Sequence, residues 1–297
     1  MTYPGKLPTY LSFSLTLATT NTSNPNMKLS TVYDFVLHMF QIIRLGLPPT
    51  ARALIKKPSI ILQPRFLSQV FLANVWSVMG EGLDQNTSEL KRSIITAYAS
   101  GVVLEIGAGN GHSVNYLDRK VVSQYIALEP NPLMQENIRK RANASGFHES
   151  NGSLIILSCG AEEIDSILAS LRTTDTAGAA GQVDTILSML TLCTVPSPQK
   201  TIDGLAKFIL RPGGQLIFYE HTRSKLSDVA WWQKVWSPFW SVLFDGCKLD
   251  RPTDLWVNEV KDEEGNSLWR EGKAWSEEGE LEEDNMLNHR LGRFVKK

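Results

Sequence analysis

The stretch Val102-Val-Leu-Glu-Ile-Gly-Ala-Gly-Asn-Gly111 is the clearest indication of the fold class. Residues 102–106 are apolar except for Glu105, which is typical of a strand buried on both faces of a sheet. The strand runs straight into a loop with three glycines, Gly107, Gly109 and Gly111. From residue 89 onward, predicted strands alternate with predicted helices. That alternation indicates an α/β fold with a parallel sheet.

The other elements of this domain follow from local patterns. Asn131-Pro132 supplies an N-cap and an N1 proline for a helix, and Gly146 suits its C′ position. A helix over 198–208 is predicted to end at Leu210-Arg-Pro-Gly-Gly214, a turn in which proline and two glycines reverse the chain. Further predicted elements are a helix over 89–99 and strands over 124–129, 154–158, 183–189 and 215–220.

The spacing of the glycines distinguishes between two kinds of nucleotide-binding site. The dinucleotide fingerprint G-x-G-x-x-G has its third glycine five residues after the first, and that position is His112 here. Because the third glycine is Gly111 instead, the sequence argues against an NAD-binding site. Glu129 ends the second predicted strand, 18 residues beyond Gly111. A carboxylate at that place can accept hydrogen bonds from both vicinal hydroxyls of a ribose.

Five motifs between residues 89 and 221 together resemble class I S-adenosylmethionine-dependent methyltransferases. They are Glu105-Ile-Gly-Ala-Gly-Asn-Gly111, Leu128-Glu-Pro-Asn131, Gly160-Ala-Glu-Glu163, Asp184-Thr-Ile-Leu-Ser-Met189 and Leu210-Arg-Pro-Gly-Gly214. The resemblance implies a Rossmann-like fold: a seven-stranded, mostly parallel sheet with a reversed last strand and helices on both faces. It also implies S-adenosyl-L-methionine as the cofactor, lying across the carboxyl ends of the first two strands.

The same resemblance assigns roles to individual residues. The three glycines would approach the methionine part of the cofactor, Glu105 would help hold its ammonium group, and Glu129 would bind the ribose. Residues 161–162 would lie near the adenine, and residues 188–190 would flank the sulfonium and the acceptor. The predicted cofactor-binding residues are Glu105, Gly107, Gly109, Gly111, Glu129, Pro130, Ala161, Glu162, Ser188, Met189 and Leu190.

Simpler interpretations compete with three of these roles. The glycines could serve only as turns, and Glu129 could be an ordinary surface carboxylate. Glu162 could be a residue of the first turn of a helix, stabilised by the helix dipole.

A more specific resemblance covers about residues 60–297. Three segments, Phe218-Tyr-Glu-His-Thr-Arg-Ser224, residues 231–240 and Phe244-Asp-Gly-Cys-Lys-Leu-Asp-Arg251, are similar to the membrane-associated alkyl thiol methyltransferases of animals and their fungal and bacterial relatives. This resemblance implies methyl transfer to an apolar small molecule, with a thiol sulfur as a candidate acceptor atom. It also places the last strand over residues 289–295.

Two residues beyond the fifth predicted strand are candidates for catalysis. His221 follows that strand and therefore falls at the expected edge of the site. We predict that His221 acts as a base or orients the acceptor, since a thiol reacts as its thiolate, and that Asp245 orients His221. A histidine hydrogen-bonded to a loop is the simpler interpretation. Cys247 is interpreted as a small buried apolar residue.

An aromatic stripe follows in the predicted helix over 231–240. Trp232, Trp236 and Trp240 recur every four residues and share one helical face, with Phe239 beside them. This face either packs on the sheet or the N-terminal helices, or roofs an apolar acceptor pocket.

The chain is predicted to divide into three parts: a loosely ordered extension, residues 1–28, a helical lid, residues 29–88, and the cofactor-binding domain, residues 89–297. Residues 32–47 form a 16-residue apolar segment with three polar interruptions, followed by Pro48-Pro49. A membrane-spanning helix needs about 20 apolar residues. The segment is therefore either a buried or lid helix, or a helix that lies in the membrane interface.

Composition excludes further classes of protein. With 30 Lys and Arg against 31 Asp and Glu, the chain has a formal net charge of −1, which argues against a nucleic-acid partner. Cys159, Cys193 and Cys247 lie far apart without a CxxC pair, so no disulfide framework or zinc site is indicated. We predict free thiols, no metal and a cytoplasmic location, with peripheral contact to an intracellular membrane left open.

Three functions remain open from the sequence. The first is an S-adenosylmethionine-dependent methyltransferase acting on an apolar small molecule at a thiol sulfur, or at oxygen, nitrogen or carbon in a biosynthetic pathway. The second is a catalytically idle cofactor-binding protein that docks on a membrane or partner. The third is an NAD-dependent oxidoreductase.

Overall fold

The computed structural model describes residues 29–173, 181–277 and 285–297. The predicted extension over residues 1–28 lies outside the described residues.

Within the described residues, seven strands form one sheet. They are β1 (Gly101–Ile106), β2 (Val122–Leu128), β3 (Leu154–Leu157), β4 (Val183–Met189), β5 (Leu210–His221), β6 (Trp269–Trp275) and β7 (His289–Lys296). Their order across the sheet is β3-β2-β1-β4-β5-β7-β6. Strands β1 to β5 are parallel, and β7 runs antiparallel to both of its neighbours. The predicted seven-stranded sheet with a reversed last strand is confirmed.

Helices connect the strands and cover both faces of the sheet. They are α1 (Leu29–Lys56), α2 (Pro64–Asn86), α3 (Ser88–Lys91), α4 (Pro132–Ala144), α5 (Ile164–Arg172), α6 (Pro198–Gly204), α7 (Ser227–Leu243) and α8 (Thr253–Asn258). A π-helical turn extends α3 over Arg92–Thr96, and another extends α6 over Leu205–Ile209. The predicted helices over 89–99 and 198–208 are these two composite elements.

The central strands are buried on both faces. In β1, Val103 and Leu104 point to opposite faces, and neither is accessible to solvent. One apolar cluster contains Leu104 together with residues of α5, α6 and α8. A second contains Val103 together with residues of α4 and the turn after α3. This double burial is what an uninterrupted apolar run in a parallel strand predicts.

The strand order places a crevice at the carboxyl end of β1. Strands β2 and β3 lie to one side of β1, and β4 and β5 lie to the other, so the direction in which strands are added changes there. Open parallel sheets bind ligands at such a switch point. The glycine loop starts at this end of β1.

Local caps fix the helix that follows β2. The Asn131 side chain accepts a hydrogen bond from the N–H of Leu133 (3.1 Å), and Pro132 occupies the first position of α4. Gly146 follows the helix with φ = 82°, a conformation that glycine adopts without steric cost. The predicted start and end of this helix are confirmed.

Two predicted boundaries are wrong. Helix α1 continues through Pro48 and Pro49 to Lys56. Its contacts with α2 outweigh the disfavoured prolines: Gly46 lies so close to Phe71 that a Cβ there would sit 2.3 Å from the ring. The predicted turn at residues 210–214 is instead the start of β5, where the pairing with β4 shifts register and Gly213 has φ = 74°.

A third apolar cluster joins the N-terminal helices to α7. Phe35, Met39 and Ile42 of α1 pack with Val75 of α2 and with Trp240 of α7. In the described ranges, no helix is both long enough and apolar enough to cross a bilayer.

Candidate active site

The glycine loop adopts a conformation that other residues rarely reach. Gly107, Gly109 and Gly111 have φ values of 59°, 57° and 76°. A Cβ on Gly107 would lie 2.5 Å from the Thr191 side chain, and a Cβ on Gly111 would lie 2.9 Å from the Cα of Ile138. The glycines are therefore needed both for backbone conformation and for close packing. They do more than terminate the strand.

Glu129 holds the tip of this loop from the end of β2. Its Oε2 accepts a hydrogen bond from the N–H of Gly109 (2.7 Å), and its Oε1 accepts one from the N–H of Asn131 (2.8 Å). The side chain is buried, and this burial raises the pKa of Glu129 to about 7. Each carboxylate oxygen keeps a second acceptor site. The interpretation of Glu129 as a surface carboxylate is wrong.

Glu105 lies deeper in the sheet than the loop. Its carboxylate accepts hydrogen bonds from the hydroxyl groups of Tyr125 and Ser113. The side chain is fully buried, and desolvation raises the pKa of Glu105. Its contact with the cofactor ammonium group stays a prediction.

The helix α2 lies across the glycine loop. The Nε1 atom of Trp76 would be 3.2 Å from a Cβ on Gly109. The Asn131 amide donates to the carbonyl of Gln69 (3.1 Å), and the Asn110 amide donates to the carbonyl of Trp76 (3.4 Å). These contacts join the N-terminal helices to the candidate site.

His112 occupies the position after the loop and carries unsatisfied nitrogens. Neither Nδ1 nor Nε2 has a hydrogen-bond partner among the described residues, although the ring is buried. Nδ1 lies 3.8 Å from Asp84, beyond hydrogen-bond distance. Desolvation lowers the pKa of His112 to about 4. Buried polar atoms in native proteins are normally paired, so this ring is an exception, and its Nε2 lies against α2, 3.0 Å from the position of a Cβ on Gly80.

The predicted adenine side is built from less buried residues. Ala161 is buried, whereas Pro130 and Glu162 are exposed. Glu162 lies in the turn before α5, which begins at Ile164, so its interpretation as a first-turn helix residue is wrong. The adenine contacts of residues 161–162 and the cofactor contact of Pro130 stay predictions.

A buried glutamate holds the loop after β4. Glu220 Oε1 accepts hydrogen bonds from Ser188 Oγ (2.5 Å) and from the N–H groups of Thr191 (2.8 Å) and Leu192 (3.0 Å). Its Oε2 accepts from the N–H of Cys193 (3.2 Å). Glu220 is inaccessible to solvent, and desolvation raises its pKa. Sequence reasoning missed this role, although a glutamate that ends an apolar strand was the available signal.

This loop also stores backbone strain. Leu190 has φ = 57°, a left-handed conformation that costs an L-residue about 1–2 kcal/mol. Strained residues persist where the surrounding contacts over-determine them, and they cluster at functional sites. Ser188 is bound to Glu220 and Met189 is half-buried, so the predicted contacts of residues 188–190 with the sulfonium stay untested.

The two candidate catalytic residues have separate partners. His221 Nδ1 lies 3.6 Å from both Cys193 Sγ and Cys247 Sγ. Asp245 instead interacts with Ser68 and Arg65 of α2, and desolvation raises the Asp245 pKa. The predicted pairing of Asp245 with His221 is therefore wrong. Asp245 has a left-handed φ of 46°, and its side chain contacts α2 instead. The role of His221 as a base stays a prediction.

The tryptophan face packs on the N-terminal helices. The Phe35 ring stacks on Trp240 with a centroid distance of 5.5 Å and meets Trp236 edge-on at 5.7 Å. The packing interpretation is thus confirmed, and Phe239, although 61% exposed, contacts Trp236 with a centroid distance of 5.8 Å. The Nε1 atoms of Trp236 and Trp240 are buried without a hydrogen-bond partner among the described residues.

Comparisons with curated proteins find thiol methyltransferases. Human thiol S-methyltransferase TMT1B is 31% identical over 52% of this chain and 58% of its own length. Human thiol S-methyltransferase TMT1A is 28% identical over 50% of this chain and 54% of its own length. The chain therefore spans about half the length of the curated relatives it matches.

Comparisons with solved structures and families agree on the fold. An O-methyltransferase family protein from Burkholderia thailandensis has a TM-score of 0.52 and 15% identity, covering 78% of this chain and 59% of that one. At this identity the likeness concerns the fold alone. The family described as "Methyltransferase domain" matches residues 81–256, which is more than half of the chain. The protein belongs to this methyltransferase domain family.

Proposed function

We propose that the protein transfers a methyl group from S-adenosyl-L-methionine to a thiol sulfur of an apolar small molecule. The observation that carries the proposal is the glycine loop bound by Glu129 at the carboxyl ends of β1 and β2. Relatives named thiol S-methyltransferases support the choice of acceptor atom.

The residues present fit the cofactor. The glycine loop offers backbone without side chains at the switch point, and Glu129 retains acceptor sites for the two ribose hydroxyls. The ring nitrogens of His112, which follows the loop, face α2: Nδ1 lies 3.8 Å from Asp84, and Nε2 lies 3.0 Å from the position of a Cβ on Gly80. We therefore assign the glycine loop and Glu129 to cofactor binding.

The chemistry is an in-line displacement. S-adenosyl-L-methionine supplies a methyl group on a sulfonium, and the acceptor reacts as its thiolate to give a thioether and S-adenosylhomocysteine. The protein contributes mainly alignment, which can account for about 7–11 kcal/mol of a reaction barrier. The strained loop after β4, held by Glu220, is suited to keep such alignment.

We propose that residues 29–88 act as a lid over the acceptor. Helix α2 contacts the glycine loop, and α1 contacts the aromatic face of α7. A lid of this kind excludes water from the reacting atoms.

The test is a comparison of acceptors with the full chain. A purified sample receives S-adenosyl-L-methionine and either an alkyl thiol or the alcohol of the same length, and methylated product is measured by mass. We expect transfer to the thiol to be at least roughly 100-fold faster, since a site built for one acceptor group discriminates strongly against another.

The alternative functions give different outcomes in the same assay. Tight binding of S-adenosylhomocysteine without transfer to any acceptor would identify a catalytically idle cofactor-binding protein. Transfer to the alcohol, an amine or carbon at the rate seen with the thiol would contradict the choice of sulfur.

We also propose peripheral contact with an intracellular membrane through α1. Tyr33, Leu37, Phe40 and Leu47 are exposed on this helix, with Phe40 at 65% exposure. Arg44, Arg52 and Lys56 lie on the same helix. A helix with exposed aromatic and aliphatic side chains beside basic ones binds the interface of anionic bilayers. Cytoplasmic location stays a prediction.

Flotation with anionic vesicles tests this contact. The double variant Leu37→Ser/Phe40→Ser is expected to lower the bound fraction about tenfold or more, because two exposed apolar side chains lose their burial in the bilayer. Phe208→Ser is the matched control, since Phe208 is 56% exposed on the turn after α6. Equal flotation of the double variant and the control would refute the contact.

A further inference from the structure

Three side chains that can bind a metal ion converge beside the candidate site. Cys193 lies in the loop after β4, His221 ends β5, and Cys247 follows α7. The two Sγ atoms are 3.2 Å apart, and each lies 3.6 Å from His221 Nδ1. All three residues are buried. In the part of the chain that the structure describes, this group of three is the one with metal-ligand atoms so close together.

The distances approach the edges of a tetrahedral zinc site. With Zn–S bonds of about 2.3 Å and Zn–N bonds of about 2.0–2.1 Å, the ligand atoms of one tetrahedral ion lie about 3.5–3.8 Å apart. Both sulfur–nitrogen distances fall in this range. The sulfur–sulfur distance needs a small increase, which a slight rotation about χ1 of either cysteine provides.

Hydrogen bonds already fix the backbone on both sides of Cys193. Glu220 accepts from the N–H of Cys193 (3.2 Å), and the N–H of Lys248 donates to the Cys193 carbonyl (2.9 Å). Arg251 Nη1 donates to the carbonyls of Leu192 (3.0 Å) and Val195 (2.8 Å). Ligands held by surrounding hydrogen bonds lose little entropy when a metal binds, and such contacts raise metal affinity.

The donor set selects a borderline or soft ion. Thiolate and imidazole ligands suit Zn²⁺, whereas Mg²⁺ and Ca²⁺ require oxygen ligands. One Zn²⁺ with two thiolates and a neutral imidazole carries no net charge, so its burial avoids the cost of an uncompensated charge. Three protein ligands leave one coordination position for water or another small ligand.

We propose that Cys193, His221 and Cys247 form a binding site for one Zn²⁺ ion. Each cysteine S–H gives its proton to solvent, each sulfur and the Nδ1 lone pair form a bond to zinc, and no atom changes oxidation state. The ion would join the loop after β4, the end of β5 and the segment after α7. The spacing of the cysteines in the sequence led us to expect no metal, and the proposed zinc site departs from that expectation.

Zinc titration of the reduced, chelator-treated full chain tests the site. In competition with a chromophoric chelator, the wild type is expected to bind one Zn²⁺ per chain. Cys193→Ser and Cys247→Ser are each expected to weaken binding by at least about 100-fold, because each removes a ligand. Cys159→Ser is the matched control, since Cys159 follows β3 and is not in the cluster. Substitution with Co²⁺ should give sulfur-to-cobalt charge-transfer absorption in the wild type and control alone.

Thermal unfolding separates loss of the site from loss of the fold. Zn²⁺ is expected to raise the Tm of the wild type and of Cys159→Ser, because it binds the folded state. The other two variants should unfold cooperatively at a Tm that Zn²⁺ does not change. Zinc affinity in Cys193→Ser and Cys247→Ser equal to that of the wild type would overturn the proposal.

Discussion

Replacing Gly109 with valine is expected to lower the affinity for S-adenosylhomocysteine by at least about 100-fold, equivalent to about 2.7 kcal/mol, while the protein stays folded. Gly109 has φ = 57°, and a Cβ there would lie 3.2 Å from Trp76 Nε1. The branched valine side chain would fill the space in front of the loop. The cofactor needs this space to contact the backbone of the loop. Isothermal titration calorimetry measures the change.

Gly152→Val is the matched control for this substitution. Gly152 also has a left-handed φ, 71°, but a Cβ there meets no atom within 4 Å. Both variants therefore carry a similar backbone cost of about 1–2 kcal/mol in stability. Only the Gly109 variant should lose binding. If the two variants bind S-adenosylhomocysteine equally well, the cofactor does not lie on this loop.

Replacing Glu220 with alanine is expected to lower the free energy of unfolding by about 3–5 kcal/mol, because several buried donors lose their acceptor at once. Those donors are the Ser188 hydroxyl and the N–H groups of Thr191, Leu192 and Cys193. Glu220→Gln should cost less, since one acceptor oxygen remains. Urea denaturation followed by circular dichroism measures both changes.

Glu271→Ala is the control for the glutamate substitution. Glu271 lies on β6 and pairs with Arg293 at 3.3 Å, but its side chain is 56% exposed. Removing an exposed ion pair changes stability by about 0–1 kcal/mol. A similar loss in Glu220→Ala and Glu271→Ala would mean that the loop after β4 does not depend on Glu220.

The parts of the fold that depend on local pattern were predictable. The prediction for β4, residues 183–189, has the observed bounds, because the strand is largely buried on both faces. The cap at Asn131 was also predictable, since capping is a contact between residues two apart. The path of α1 through Pro48-Pro49 was not, because packing against Phe71 on another helix decides it.

The candidate site likewise has parts that local sequence pattern predicts and parts that depend on long-range packing. Gly109 and Glu129 follow neighbouring parallel strands closely, so the strand pattern alone brings them together. Cys193 and Cys247 are 54 residues apart in sequence, and their contact depends on how α7 and its following turn fold back on the sheet. The partner of Asp245 lies on α2, which no spacing within the C-terminal half could indicate.

The position of β7 in the sheet bears on how the site assembles during folding. Strand β5 carries Glu220 and His221, and its residues 215–221 pair with β7. In the chain, α7, α8 and β6 separate β5 from β7. Until β7 adds, β5 is an open sheet edge, and such long-range pairings form slowly. We therefore expect the residues at the carboxyl end of β5 to reach their final surroundings late, after the glycine loop and Glu129 have met through the neighbouring strands β1 and β2.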